Sequence, residues 1–291
     1  MIYNELGEKW LYFDGAMGTM LQSKGLKLGE IPELYNITHP EIVEEIHRAY
    51  LEAGCHFITT NTFGANRYRM QESGYTVEEI ITKAIEIAKL AQSNNKKACI
   101  ALDVGSTGKL LKPRGDVGFE EIYEVFKEQV VIGEKAGVDV ILLETFTDLD
   151  ELKAAILAAK ENTSLSIFCT MSFEENGYTF FGTSLESMVK TVEELGVSAL
   201  GINCSFGPKK LEPLVKKLTQ IAHIPIIVQP NAGLPVMQEG NMYYDITPEE
   251  FAQYMASFAR LGVSILGGCC GISPIYIQKM IEKVQEVEGL R

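Results

Sequence analysis

Three cysteines stand apart from the other chemistry-bearing residues of this chain. Cys204 lies in Gly201–Ile202–Asn203–Cys204–Ser205, and Cys269 and Cys270 lie in Gly267–Gly268–Cys269–Cys270–Gly271. Three thiolates suit zinc, which takes sulfur at tetrahedral positions, and three protein ligands leave a fourth position open, as in a catalytic site. An incoming thiol fits that position: zinc lowers its pKa, and the sulfur-rich ligand set keeps the resulting thiolate nucleophilic. Neighbours in a regular strand face opposite ways, so Cys269 and Cys270 need a bent backbone to share one metal. The glycines on both sides permit that bend. Cys55, Cys99 and Cys169 sit singly in apolar surroundings and read as small buried hydrophobes.

Two carboxylates come next. Asp14 follows the run Trp10–Phe13, and Glu144 follows Ile141, Leu142 and Leu143 and is a poor turn former. Two carboxylates beside a negatively charged metal site call for a cation, and a substrate ammonium meets that need. The substrate read from the residues therefore has a thiol at one end and an ammonium at the other. A carboxylate on it can take backbone N–H groups from Gly15–Ala16–Met17–Gly18. The competing reading, a glycosidase-like acid/base pair, leaves three cysteines idle. Asn231, in Gln229–Pro230–Asn231–Ala232–Gly233, is either a turn residue or a spare oxygen ligand to zinc. Asn61, Asp103 and Ser172 read as turn formers. Arg67, Lys112 and Arg114 are candidate contacts for an anionic partner, and His39, His47, His56 and His223 show no ligand spacing.

These groups recur at the ends of short apolar, β-branched runs, which are the strand candidates: Trp10–Phe13, Phe57–Thr60, Ala98–Leu102, Val140–Leu143, Leu165–Thr170, Ala199–Ile202, Ile226–Val228 and Ser264–Leu266. Amphipathic stretches lie between them, for example Ile42–Ala53, Phe119–Lys135, Leu149–Lys160 and Pro213–Ile221. Eight alternating βα units imply parallel strands closed into a (β/α)8 TIM barrel, a single domain over residues 1–291. Such barrels carry their chemistry at the C-terminal strand ends. The two longest strand-to-helix connections, from Asp14 to about Pro40 and from Asp103 to about Gly118, are candidate walls or lids.

Composition narrows the classes. The formal charge of −13 argues against nucleic acid, which needs a basic footprint. No apolar run approaches the ~20 residues of a membrane span. Met1 to Trp10 carries Glu5 and Lys9 and no apolar leader core, so a cytoplasmic protein is the expectation. No G-x-G-x-x-G follows a strand, and Gly105–Ser106–Thr107–Gly108–Lys109 is too short for a phosphate loop.

The motifs resemble a known family. Phe13–Asp14–Gly15–Ala16–Met17–Gly18–Thr19, Thr60–Asn61–Thr62–Phe63–Gly64–Ala65–Asn66, Glu144–Thr145–Phe146, Pro230–Asn231–Ala232–Gly233 and the two cysteine segments are similar to those of the homocysteine S-methyltransferases. The likeness is closest to the homocysteine-binding module of cobalamin-dependent methionine synthase, and it runs from about Trp10 to Val284. It implies a (β/α)8 fold and zinc on Cys204, Cys269 and Cys270. It implies that Asp14 and Glu144 bind the homocysteine ammonium and that backbone at Gly15 and Ala16 helps hold the carboxylate. It also implies methyl transfer to homocysteine to give methionine, with methylcobalamin the expected donor, carried by a corrinoid protein or by cobalamin and folate modules. Other branches of the family use S-methylmethionine, S-adenosylmethionine or betaine. Betaine is disfavoured here because Gly64 stands where that branch carries an aromatic. A non-catalytic zinc or redox binding module is the reading from a different class.

Overall fold

Eight of the apolar runs form parallel strands in a computed structural model that describes residues 9–93, 95, 97–233, 235–238 and 241–288. The first eight residues, part of the stretch read above for a leader, lie outside the described residues. The strands are β1 (Leu11–Tyr12), β2 (Phe57–Thr59), β3 (Cys99–Val104), β4 (Val140–Phe146), β5 (Ser166–Met171), β6 (Ala199–Asn203) and β7 (Ile226–Gln229). A hairpin of β8 (Pro235–Gln238) and β9 (Asn241–Tyr244) follows, and β10 (Ile265–Leu266) is the eighth strand of the sheet. The sheet order is β1-β10-β7-β6-β5-β4-β3-β2, every pairing parallel.

The two end strands meet. A parallel bridge joins Phe13 to Phe57, and His56 N–H donates to the Tyr12 carbonyl at 2.7 Å. The sheet thus closes into the expected barrel. All eight strand runs fall where the sequence places them, with ends shifted by one to three residues. One difference is the β8–β9 hairpin, an antiparallel insertion before the last helix–strand unit. Another is the helix expected over Pro213–Ile221, which begins five residues earlier, at Pro208. Pro213 sits inside it on an exposed face, where water can satisfy the carbonyl that proline's missing N–H leaves unpaired.

Alternation along each strand builds the barrel interior. Leu11, Phe13, Phe57, Cys99, Ala101, Val140, Leu142, Phe168, Ala199, Ile227 and Ile265 form one buried cluster inside the sheet. Phe13 and Phe57 stack with centroids 4.5 Å apart, and Phe168 packs its edge against both. The outward-facing residues pack against amphipathic helices in a second, larger core. Local signals fix the helix ends: Thr76 and Thr247 form capping boxes, and Gly137, Gly196 and Gly262 take left-handed C-caps. Among the described residues no helix is long and apolar enough to cross a membrane.

Candidate active site

Above the phenylalanine floor the inward alternation continues with polar residues. Two positions beyond Phe57, Ala101, Leu142 and Ile227 stand Thr59, Asp103, Glu144 and Gln229, and all four line a cavity of about 350 Å3 at the C-terminal strand ends. Cys204, Cys269 and Cys270 line it, and so do Asp14, Asp103 and Glu144. The first long loop supplies a wall through residues 15–19, Pro32 and Glu33. The second contributes no lining residue beyond Asp103; Thr107 hydrogen-bonds Glu151 and Arg114 pairs with Asp148, which latch it elsewhere.

The three sulfurs lie within 4.8 Å of one another, and Cys204 Sγ and Cys270 Sγ are 3.6 Å apart. Zinc–sulfur bonds of ~2.3 Å in tetrahedral array put sulfurs about 3.8 Å apart, so the cluster fits zinc without rearrangement of the chain. Backbone geometry brings it together. Cys204 takes a left-handed φ of 51° just past β6, where its N–H donates to the Gln229 carbonyl at 3.1 Å. Cys269 N–H donates to the Pro230 carbonyl at 2.8 Å, and Gly271 turns the chain at φ 81°. Hydrogen bonds from Cys204 and Cys269 pull the Cys270 thiol down to about 3, and its role as donor to both neighbours pushes Cys269 well up. Cys55, Cys99 and Cys169 are buried, as expected of structural cysteines.

Asn231 does not line the cavity. Its Nδ2 donates to the Cys204 carbonyl at 3.0 Å, and its Oδ1 accepts the Cys270 N–H at 3.1 Å. It brackets the two cysteine segments, with its amide oxygen turned to Cys270 backbone.

Asp14 is 2% exposed and accepts the Thr59 N–H at 2.7 Å and the Thr59 hydroxyl at 3.1 Å. Burial holds its carboxyl well above the usual range despite these bonds. Glu144 accepts from Asn203 Nδ2 at 3.3 Å; burial, then the Cys270 charge, pushes its pKa up to about 7. Its backbone is held unusually. Thr145, the next residue, has φ 63° at a register shift between Leu143 and Phe146. A β-branched residue there is strained by ~1–3 kcal/mol. Asn203 fixes it from β6, accepting the Thr145 N–H at 3.1 Å and donating to its hydroxyl at 2.7 Å.

Gly15 has a tertiary reason to be glycine: a Cβ there would lie 2.3 Å from the Ile272 carbonyl. That carbonyl accepts the Ala16 N–H at 2.9 Å, so this amide is committed within the protein. The helix Met17–Ser23 follows with no side-chain cap, which leaves its first-turn amides beside the cavity.

Asp103 departs from the turn reading. It lies within β3, and the chain stays extended through Val104. Asn61 lines the cavity and is tied by Nδ2 to the Pro32 carbonyl at 2.8 Å, whereas Ser172 bonds the Asn203 carbonyl at 2.9 Å and does not line it. Arg67 pairs with Glu128 at 3.0 Å and Arg114 stacks on Phe181 while pairing with Asp148, so both are engaged within the chain. Glu33, Arg69 and Asn203 were not singled out from the sequence. Glu33 is 2% exposed and accepts the Gly64 N–H at 2.6 Å, with Arg69 Nε 3.9 Å away. It comes from a single 3-10 turn, Pro32–Leu34, too short for any periodicity to mark an inward position. Asn203 was legible, since it stands four residues beyond Ala199 on an interior strand face.

A family model of homocysteine S-methyltransferases matches residues 11–284. The chain is 32% identical to methionine synthase of Mycobacterium tuberculosis, over 97% of this chain and 25% of that protein, and 31% identical to methionine synthase of Mycobacterium leprae, over 96% and 24%. It thus spans about a quarter of the length of the curated relatives it matches. The metallated form of the homocysteine methyltransferase MmuM from Escherichia coli shares the fold with a TM-score of 0.80 at 21% identity, over 94% of this chain and 96% of that one. With the family model covering nearly the whole barrel, cysteine segments included, the chain belongs to the homocysteine S-methyltransferase family.

Proposed function

We propose that this protein methylates the thiol of homocysteine to give methionine, with zinc on Cys204, Cys269 and Cys270 as its resident metal. The observation that carries the reading is three sulfurs close enough for one zinc in the same cavity as Asp14 and Glu144. Zinc held there supplies a Lewis acid that lowers the pKa of an incoming thiol.

The chain's own residues orient the substrate. Asp14 and Glu144 take the ammonium, and an ionised Glu144 is matched to it best. Backbone at Gly15 and Ala16, with the first-turn amides of Met17–Ser23, holds the carboxylate; the committed Ala16 N–H shifts most of that work to its neighbours. Asn231 keeps the two cysteine segments in register while substrate enters and leaves. The phenylalanine floor closes the cavity from below, so the methyl donor approaches from the open mouth.

For the donor, the identity to methionine synthases favours methylcobalamin, presented by a corrinoid protein or by cobalamin and folate modules of a longer polypeptide. The test is methionine formation from homocysteine by zinc-loaded protein with methylcobalamin, beside a chelated control. Zinc-dependent product is the expected result. Product only with S-methylmethionine, S-adenosylmethionine or betaine would replace the donor. In parallel, Glu144→Ala is expected to keep zinc and bind homocysteine poorly. Unchanged binding would remove the ammonium assignment and favour a zinc or redox binding module.

A further inference from the structure

Asp103 is the buried carboxylate around the cavity that lacks a protein donor. Asp14 has Thr59, Glu33 has the Gly64 N–H, and Glu144 has Asn203. Asp103 is 8% exposed, its Oδ1 has no hydrogen-bond partner, and the residue lines the cavity. Its direction follows from β3, in which Cys99 and Ala101 face the barrel interior and Asp103 is the next inward position. Its backbone is pinned on both sides: Thr60 Oγ1 accepts its N–H at 3.1 Å, and the Thr62 hydroxyl donates to its carbonyl at 2.7 Å.

A buried carboxyl without a partner costs stability, and a charged one costs more. Burial, then Glu144, Asp14 and Glu33, hold this carboxyl well above the ordinary range. All three neighbours are acidic. Among the described residues the one cation lining the cavity, Arg69, lies against Glu33 on a side chain 43% exposed. The group that would satisfy Asp103 must therefore come from a ligand and must be cationic or a strong donor.

Building on the proposed homocysteine reading, we propose that Asp103 is a third carboxyl group of the ammonium pocket and a determinant of selectivity for thiols that carry an amino group. An ammonium has three N–H donors. Asp14 follows β1, Asp103 lies in β3 and Glu144 in β4, and all three line the cavity that the sulfurs line. One N–H for each carboxyl satisfies the ammonium and gives the Asp103 carboxyl a donor.

The test is calorimetric binding to zinc-loaded protein of homocysteine and of 4-mercaptobutanoate, the same thiol acid without the amino group. Wild type is expected to prefer homocysteine. Asp103→Asn should weaken homocysteine by roughly ten- to a hundredfold, the scale of one hydrogen bond to a charged group, and leave 4-mercaptobutanoate unchanged or tighter. Equal weakening of both ligands, or an unchanged preference in the variant, would overturn the role of Asp103. A wild type with no preference between the two thiols would overturn the homocysteine reading with it. A second measurement needs no variant. N-Methylhomocysteine has lost one N–H, so three carboxyl partners predict binding to wild type at least about tenfold weaker. Affinity equal to that of homocysteine would overturn the proposal.

Discussion

Asn203 Nδ2 reaches Glu144 Oε2 at 3.3 Å, and this contact ties the carboxylate wall of the cavity to the strand that ends in Cys204. Asn203 is fully buried, and the same side chain holds the strained Thr145. One amide on β6, two strands away and next to Cys204, thus sets the direction of an acid on β4. Asn203→Leu removes these bonds and leaves the Thr145 N–H and the Glu144 carboxyl without that partner. A loss of about 2–4 kcal/mol in urea unfolding is expected, with homocysteine binding weakened and zinc content kept. Stability within 0.5 kcal/mol of wild type, a value on the order of ordinary surface changes, would show that the strain at Thr145 is held by something else.

Asn231 gives a complementary prediction. Its side chain bonds the Cys204 carbonyl and the Cys270 amide, but it faces away from the cavity. Asn231→Ala is expected to lower zinc affinity by roughly 10–100-fold, as loss of outer-shell support does, and to leave the barrel folded. Competition against a chromogenic chelator measures this. Unchanged zinc affinity would mean that the neighbouring backbone bonds alone hold the sulfurs together.

The pH dependence of the metal-free protein should run opposite to that of a salt-bridged acid. Glu144 has its pKa raised from 4.5 to about 7, mainly by burial. The folded state then binds the proton more tightly than the unfolded chain. Its contribution is fully present below about 4.5 and is lost as pH rises through about 7. Asp14 and Asp103 are raised in the same direction, again chiefly by burial. Urea midpoints of metal-free protein should therefore fall from pH 5 to pH 8, and Glu144→Gln should flatten part of that fall. A midpoint that climbs over this interval, or an unaltered slope in the variant, would contradict the shift.

Two glycines of the first motif should respond differently. A Cβ on Gly15 would sit 2.3 Å from the Ile272 carbonyl, a backbone atom beside the cysteine loop, whereas Gly18 has nothing within 4 Å. Gly15→Ala is expected to cost about 1–3 kcal/mol through overpacking. Gly18→Ala, in the helix Met17–Ser23, should be neutral or gain up to ~1 kcal/mol. Thermal melts of both variants decide it, and similar melting temperatures would show that the Ile272 loop yields easily.

Much of the candidate site was open to reading from local pattern. Strand runs with two-residue alternation specify their own faces, so Val140–Leu142–Glu144 announces an acid at the top of a buried column. Cys99–Ala101–Asp103 carries the same signal, but aspartate is also a common turn former, so residue type alone leaves two readings of Asp103. Counting the alternation one step further separates the two readings, since a turn would break the column. Glu33 offers no such handle: its burial depends on where the short 3-10 turn Pro32–Leu34 packs and on the Gly64 amide it accepts.

By itself the sequence determined the eight strand-forming runs, the ligand types on Cys204, Cys269 and Cys270, and the polar residues that follow each run, because these depend on spacing within a few residues. Tertiary structure alone decided where they meet. Cys204 and Cys270 are 66 residues apart in the chain, and their sulfurs come within 3.6 Å because β10 pairs with β7 and β7 with β6. The left-handed turns at Cys204 and Thr145 arise the same way. Residues distant in sequence, Gln229 and Asn203, hold them by hydrogen bonds that form only once the sheet has closed.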